Sequence, residues 1–294
     1  MNQTMSMIGN TPLYQWKENI YVKLEKYNPA GSIKDRAVLY MLQAAINDKK
    51  INKDSVLVEA TSGNTGIALA LMGSLFQIPV IIIMPESMSE ERRQLVKAYG
   101  AQLILTDKTL GMQGSIDCMN ELLAKHSNYV SLNQFDNPAN IEAHYRSTGV
   151  ELIKEVPDMD MFVACVGTGG TFSGIAKALK EYNPKIRTIA GEPSASPVLS
   201  TNQASSHGIQ GIGANFVPTN FIREYADDIM GVSDEDAMKE CISFGRETGI
   251  LVGISSGANL ALAKRLASYY PDKKIVTVAP DGGEKYLSVL DFNV

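Results

Sequence analysis

Short apolar runs recur along the chain, each followed by a small polar or glycine-bearing segment and then by a stretch whose apolar residues return every three or four positions. Residues 56–60, 80–84, 101–106, 161–166, 186–192 and 275–279 are such runs. Near-continuous apolarity predicts strands buried on both faces, and the periodic stretches predict helices that cover them. Those helices are expected around 37–45, 67–75, 90–99, 116–125, 172–182, 234–248 and 257–269. The alternation predicts the α/β class, with two open, mainly parallel twisted sheets and flanking helices. Residues 193–218 are rich in Ser, Gly, Asn and Pro and too long for an idle connection, which predicts a functional loop. Its glycines Gly208, Gly211 and Gly213 are expected to pass close to a ligand.

Composition narrows the function classes. With 45% apolar and 20% charged residues, the 294-residue chain is expected to fold throughout and to divide into two lobes. Its net charge of −5 comes from scattered Lys, Arg, Asp and Glu, so no basic stripe is available for nucleic acid. The apolar runs are far shorter than the ~20 residues of a membrane span. The start of the chain lacks the basic and apolar regions of a signal peptide, so a cytoplasmic protein is expected. Cys118, Cys165 and Cys241 show no metal-ligand or disulfide spacing and are read as buried small hydrophobes.

Four loops carry candidate chemistry. In Asn28-Pro29-Ala30-Gly31-Ser32-Ile33-Lys34-Asp35-Arg36 a tight turn delivers Lys34 to a helix start. That fixed placement suits an imine-forming lysine, and a solvated helix-start lysine would look the same. Gly167-Thr168-Gly169-Gly170-Thr171 lies between a strand and a helix. Its N–H groups, helix dipole and hydroxyls suit one phosphate. Phe172 stands where a dinucleotide fingerprint needs glycine, and a plain tight turn is the alternative. Thr61-Ser62-Gly63-Asn64-Thr65-Gly66 offers hydroxyls, an amide and free N–H groups to a carboxylate, or is simply a helix cap. Gly253-Ile254-Ser255-Ser256-Gly257 reads by itself as a capped helix start.

Taken in order, these loops resemble the cysteine synthase (O-acetylserine sulfhydrylase) family of fold-type II pyridoxal 5′-phosphate enzymes. The likeness runs from Ile8-Gly9-Asn10-Thr11-Pro12-Leu13 to Gly283-Glu284-Lys285-Tyr286-Leu287-Ser288. The resemblance implies that Lys34 forms the internal aldimine and that Gly167, Thr168, Gly169, Gly170 and Thr171 hold the cofactor phosphate. It implies Asn64 at the ring hydroxyl and Ser255 at the pyridine nitrogen. Thr61, Ser62, Thr65 and Gln134 would take the substrate carboxylate, with Asn64 beside them, and the loop 207–213, including Gly211, would border the site. A serine at the ring nitrogen leaves a weaker electron sink than an aspartate would, which favours loss of a β-substituent over transamination. Lys34 would then act as base at Cα, and sulfide would add to an aminoacrylate to give L-cysteine.

Glu59-Ala60-Thr61 and Asn28-Pro29-Ala30-Gly31-Ser32 look like the B isozyme, whereas His207-Gly208-Ile209-Gln210-Gly211-Ile212-Gly213-Ala214 looks like the A isozyme. Asp281 stands where the A type usually has serine. By the resemblance, residues 1–32 and 138–294 form a large cofactor-binding domain and 33–137 a small, mobile one that closes on substrate. A homodimer is expected, and serine acetyltransferase, whose C-terminal peptide enters the active site in some relatives, is a candidate partner. The same residues would also serve an enzyme that consumes cysteine and releases hydrogen sulfide, in the manner of cystathionine β-synthase or of lanthionine- or serine-forming enzymes. A scaffold that only docks serine acetyltransferase is the reading from another class.

Overall fold

The computed structural model describes residues 3–61 and 63–290. Its strands are β1 (Leu13–Lys17), β2 (Ile20–Leu24), β3 (Val56–Ala60), β4 (Val80–Pro85), β5 (Gln102–Thr106), β6 (Tyr129–Val130), β7 (Met161–Cys165), β8 (Arg187–Pro193), β9 (Asp228–Val232) and β10 (Ile275–Ala279). The helices are α1 (Lys34–Asn47), α2 (Asn64–Phe76), α3 (Glu90–Ala98), α4 (Gly111–Lys125), α5 (Pro138–Ala143) and α6 (Gly149–Glu155), the last two joined by a π-helical turn at His144–Thr148. They continue with α7 (Gly170–Tyr182), α8 (Val198–Thr201), α9 (Asp234–Thr248) and α10 (Ile254–Tyr269).

Two separate sheets result, as the alternating pattern predicts. One has six strands in the order β1-β2-β10-β7-β8-β9, the other four in the order β5-β4-β3-β6. All neighbours are parallel except the β1–β2 hairpin. In the larger sheet Val276 lies between Tyr21 and Phe162. Phe162, Val163 and Val276 are completely buried there, as a parallel sheet covered on both faces requires.

Several helices start earlier than the apolar period indicates. α2 opens at Asn64, α4 at Gly111, α7 at Gly170 and α10 at Ile254. The first turn of a helix has unpaired N–H groups and tolerates glycine, serine and asparagine, so the periodic signal begins only after it. Strands β1, β2 and β9 go unassigned in the sequence because polar residues interrupt them, and β6 because it is only two residues long. Lys23 in β2 is fully buried, its ammonium neutralised by Glu151 at 3.0 Å and Glu155 at 2.8 Å. The expectation of three buried cysteines holds for Cys165 and Cys241 and fails for Cys118, which is half-buried. It lies on α4 at the border of the small cluster of Val58, Ile81 and Ile83.

Candidate active site

Parallel strands present their ligands beyond their C-terminal ends, and three such ends meet here. β3 runs into Thr61, β7 into Gly167 and β10 into Asp281. The turn before Lys34 is stitched to the last of these: Ile33 N–H donates to the Pro280 carbonyl at 2.8 Å, and Ser32 pairs with Asp281 as an isolated antiparallel bridge. Gly31 makes the turn at φ +75°, a conformation that costs glycine nothing.

Lys34 is therefore the first residue of α1 at a fixed place. Burial lowers its amine below the ordinary lysine range, and the Asp281 carboxylate pulls it partly back. A second anchor lies two residues on. Arg36 is 1% exposed and forks onto Glu25 through Nε and Nη2 with two bonds of 2.8 Å, while Nη1 reaches Glu151 at 2.5 Å and the same Nη2 reaches it at 2.8 Å.

The glycine loop is shaped as an anion cradle. Gly169 has φ +89°, and a Cβ there would stand 2.5 Å from the Phe221 nitrogen. A Cβ on Gly167 would meet the Gly211 carbonyl at 2.5 Å, and one on Gly170 would overlap the Asn140 side chain. No side chain caps the start of α7 among the described residues, so its first N–H groups are available to a ligand. Asn140 Nδ2 donates to Thr168 Oγ1 at 2.9 Å. The Thr168 hydroxyl proton is thus free to point at an anion. Thr171 Oγ1 lies 3.3 Å from His144 Nε2.

The second receptor sits beside the first. Thr65 donates to Gln134 Oε1 at 2.6 Å, which leaves the Gln134 amide nitrogen to donate to a carboxylate. The Gln134 carbonyl accepts from Asn140 at 2.8 Å and from Asn220 at 2.9 Å. Asn140 therefore ties this group to the glycine loop, a role the sequence did not reveal because an asparagine in a helix has no distinguishing signal. Thr61 is buried at the end of β3, and Ser62 lies outside the described residues. Ser255 is buried in the first turn of α10, and a Cβ on Gly211 would come within 3.5 Å of its hydroxyl. A Cβ on Gly208 would press on Asp234 and one on Gly213 on His207, so those two shape the loop. Asn64 Nδ2 donates to Asp281 Oδ2 at 2.7 Å.

Residues 4–281 match the family described as pyridoxal-phosphate dependent enzyme. The chain is 46% identical to cysteine synthase B of Campylobacter jejuni, over 96% of this chain and 95% of that one. The chain belongs to the cysteine synthase family. It is thus an enzyme that works with pyridoxal phosphate. Cysteine synthase from Entamoeba histolytica superposes with a TM-score of 0.94 at 38% identity, covering 98% of this chain and 90% of that one. A hydrogen sulfide-producing enzyme from Fusobacterium nucleatum superposes at 0.90 with 41% identity, covering 98% and 100%. The residues present fit the cofactor. The uncapped α7 start suits its phosphate, and the amine of Lys34, to which no described residue is hydrogen-bonded, suits its carbonyl carbon. No helix among the described residues is long and apolar enough to cross a membrane.

Proposed function

We propose that this member of the cysteine synthase family forms L-cysteine from O-acetyl-L-serine and sulfide by β-replacement. The observation that supports the reading is the Asn140 bridge, through which Gln134 and Thr65, a pair suited to a carboxylate, lie beside Thr168 of the glycine loop, which suits a phosphate. An amino acid joined to a phosphate-bearing cofactor presents that pair of anions. The 46% identity to a cysteine synthase B supports the choice of product.

When bound, pyridoxal phosphate supplies the electron sink that lets Cα lose its proton and the β-substituent depart. Lys34 would hold the cofactor and, as a free amine beside Cα, would take the Cα proton and return it. Its lowered pKa keeps more of the amine in the free-base form near neutrality. Gly167, Thr168, Gly169, Gly170 and Thr171 would hold the phosphate, Asn64 would bond the ring hydroxyl and Ser255 the ring nitrogen. Thr61, Ser62, Thr65 and Gln134 would hold the carboxylate, and Gly211 would border the site.

The division into a large lobe of residues 1–32 and 138–294 and a small lobe of 33–137 belongs to the same proposal. Arg92 on α3 supports it as a contact across the two. It is 4% exposed, donates to Gln210 at 2.7 Å and stacks on Tyr286 with its guanidinium carbon 4.9 Å from the ring centre. Substrate held by Gln134 and Thr65 on one lobe and by the cofactor on the other favours closure and excludes water. Crystals with and without a non-reactive amino acid test this, and an unchanged lobe separation with the ligand carboxylate in place contradicts it. The homodimer and the docking of serine acetyltransferase rest on the resemblance, and a cytoplasmic location on the sequence pattern alone. Sedimentation as a single ~32 kDa species would exclude the dimer.

Release of hydrogen sulfide from cysteine is the second reading, favoured by the likeness to the Fusobacterium enzyme. Rates with O-acetyl-L-serine plus sulfide, set against rates with L-cysteine plus a second thiol, separate the two.

A further inference from the structure

Asp281 is completely buried just beyond the end of β10. Its Oδ2 accepts from Asn64 Nδ2 at 2.7 Å and from the Tyr286 hydroxyl at 2.8 Å. The other end of the Asn64 amide, Oδ1, accepts from Lys285 Nζ at 2.9 Å. That ammonium is itself held by the carbonyls of Gly31 at 2.9 Å and Ala30 at 3.4 Å. A primary amide has two nearly isosteric orientations, and its hydrogen-bond partners choose between them. Here a cation faces one end and a carboxylate the other, so only one orientation fits.

We propose that Asp281 and Lys285 are positioning residues that act through Asn64, locking its amide so that the second N–H faces the cofactor ring hydroxyl as a fixed donor. The inference rests on the reading of Asn64 as the ring-hydroxyl partner. The surroundings give the lock little freedom. A Cβ on Gly253 would overlap Asp281 Oδ1, so the carboxylate fits only because glycine stands there. Tyr286, which holds the same carboxylate, is clamped from the other side by Arg92. The Ser32–Asp281 bridge joins the whole arrangement to the turn that carries Lys34. A donor fixed on the ring oxygen favours its ionised form over the neutral hydroxyl, because only the ionised form needs no acceptor. The balance of those forms sets the ratio of the visible to the near-ultraviolet absorption of the bound cofactor.

The test compares that ratio, and its pH midpoint, in purified holoenzyme variants at matched cofactor content. Asp281→Ala and Lys285→Met are each expected to lower the ratio roughly fivefold, the change one net hydrogen bond makes. Asp281→Asn, whose amide oxygen still accepts from Asn64, is expected to stay within about twofold of the parent. In an Asn64→Ala background, Asp281→Ala is expected to change nothing further. Should Asp281→Ala not accumulate as folded protein, Lys285→Met carries the same comparison. Loss in Asp281→Asn equal to that in Asp281→Ala would show that charge matters and the lock does not. An equal shift in the Asn64→Ala background would show that Asp281 acts independently of Asn64. A ratio unchanged in Asp281→Ala and Lys285→Met, but lowered by Asn64→Ala, would overturn the lock and leave the placement of Asn64 intact. A ratio unchanged by Asn64→Ala itself would remove Asn64 from the ring, and the lock with it.

Discussion

Ile33 donates its backbone N–H to the carbonyl of Pro280 at 2.8 Å, and this bond ties the residue before Lys34 to the chain just beyond the central strand β10. The tie explains how a lysine on the first turn of a helix can be a precise instrument. Its backbone is fixed by the larger sheet through Ile33 and by the Glu25–Arg36–Glu151 ion pairs, while no described residue is hydrogen-bonded to its amine. Such support from neighbouring groups is what positions a reacting side chain.

Lys34→Ala is expected to fold and to lose the visible colour of the bound cofactor. Turnover should fall by at least ~10³-fold, since both the covalent anchor and the proton carrier are gone. Circular dichroism and a cysteine-formation assay check the two halves of that outcome, and an active Lys34→Ala enzyme removes Lys34 from the mechanism.

Gly169→Ala is expected to cost about 1–3 kcal/mol in the left-handed conformation that φ +89° requires. The clash with the Phe221 nitrogen adds to it. Chemical denaturation measures the stability loss, and titration of the apoenzyme with pyridoxal phosphate should show weakened binding. Unchanged cofactor affinity would mean that the cradle is not the phosphate site.

Arg36→Met is expected to destabilise the fold by about 3–5 kcal/mol, because buried Glu25 loses its guanidinium partner and Glu151 is left with Lys23 as its cation. Burial pushes the Glu151 carboxyl up, but the bonds and charge of Arg36 outweigh it and hold the group at about 2. A depressed carboxylate contributes stability above its unfolded value of 4.5 that is lost as pH falls toward 2. Urea melts of parent and variant should accordingly converge over that acid range.

Glu59 behaves in the opposite sense. Burial raises its carboxyl to about 7, against the bonds it accepts from Ser131 and the Leu132 backbone. A raised carboxyl gives stability that is full below 4.5 and declines as pH rises through 7. Glu59→Gln cannot ionise, so its melting temperature relative to the parent should rise between pH 5 and pH 8. An equal difference at both pH values would place the ionisation of Glu59 elsewhere.

The buried parallel strands were readable in the sequence because burial on both faces leaves unbroken apolar runs such as Val80–Pro85. Strand β2 was hidden by Lys23, whose charge is neutralised only by glutamates more than a hundred residues away. The four candidate loops were visible by their glycines and hydroxyls, and Ser255 by resemblance alone. Asn140 and Lys285 were invisible as site residues, since their roles depend on partners such as Thr168 and Asn64 that only folding brings near. The Asp281 question that the sequence posed has a local answer in the amide of Asn64.

The central claim is tested most directly by identifying the product the purified, pyridoxal phosphate-loaded enzyme makes from O-acetyl-L-serine and sulfide, alongside the sulfide it releases from L-cysteine alone. The account predicts stoichiometric L-cysteine and acetate, formed much faster than cysteine is consumed, with neither reaction in Lys34→Ala. Release of sulfide from L-cysteine without measurable cysteine formation from O-acetyl-L-serine would contradict it.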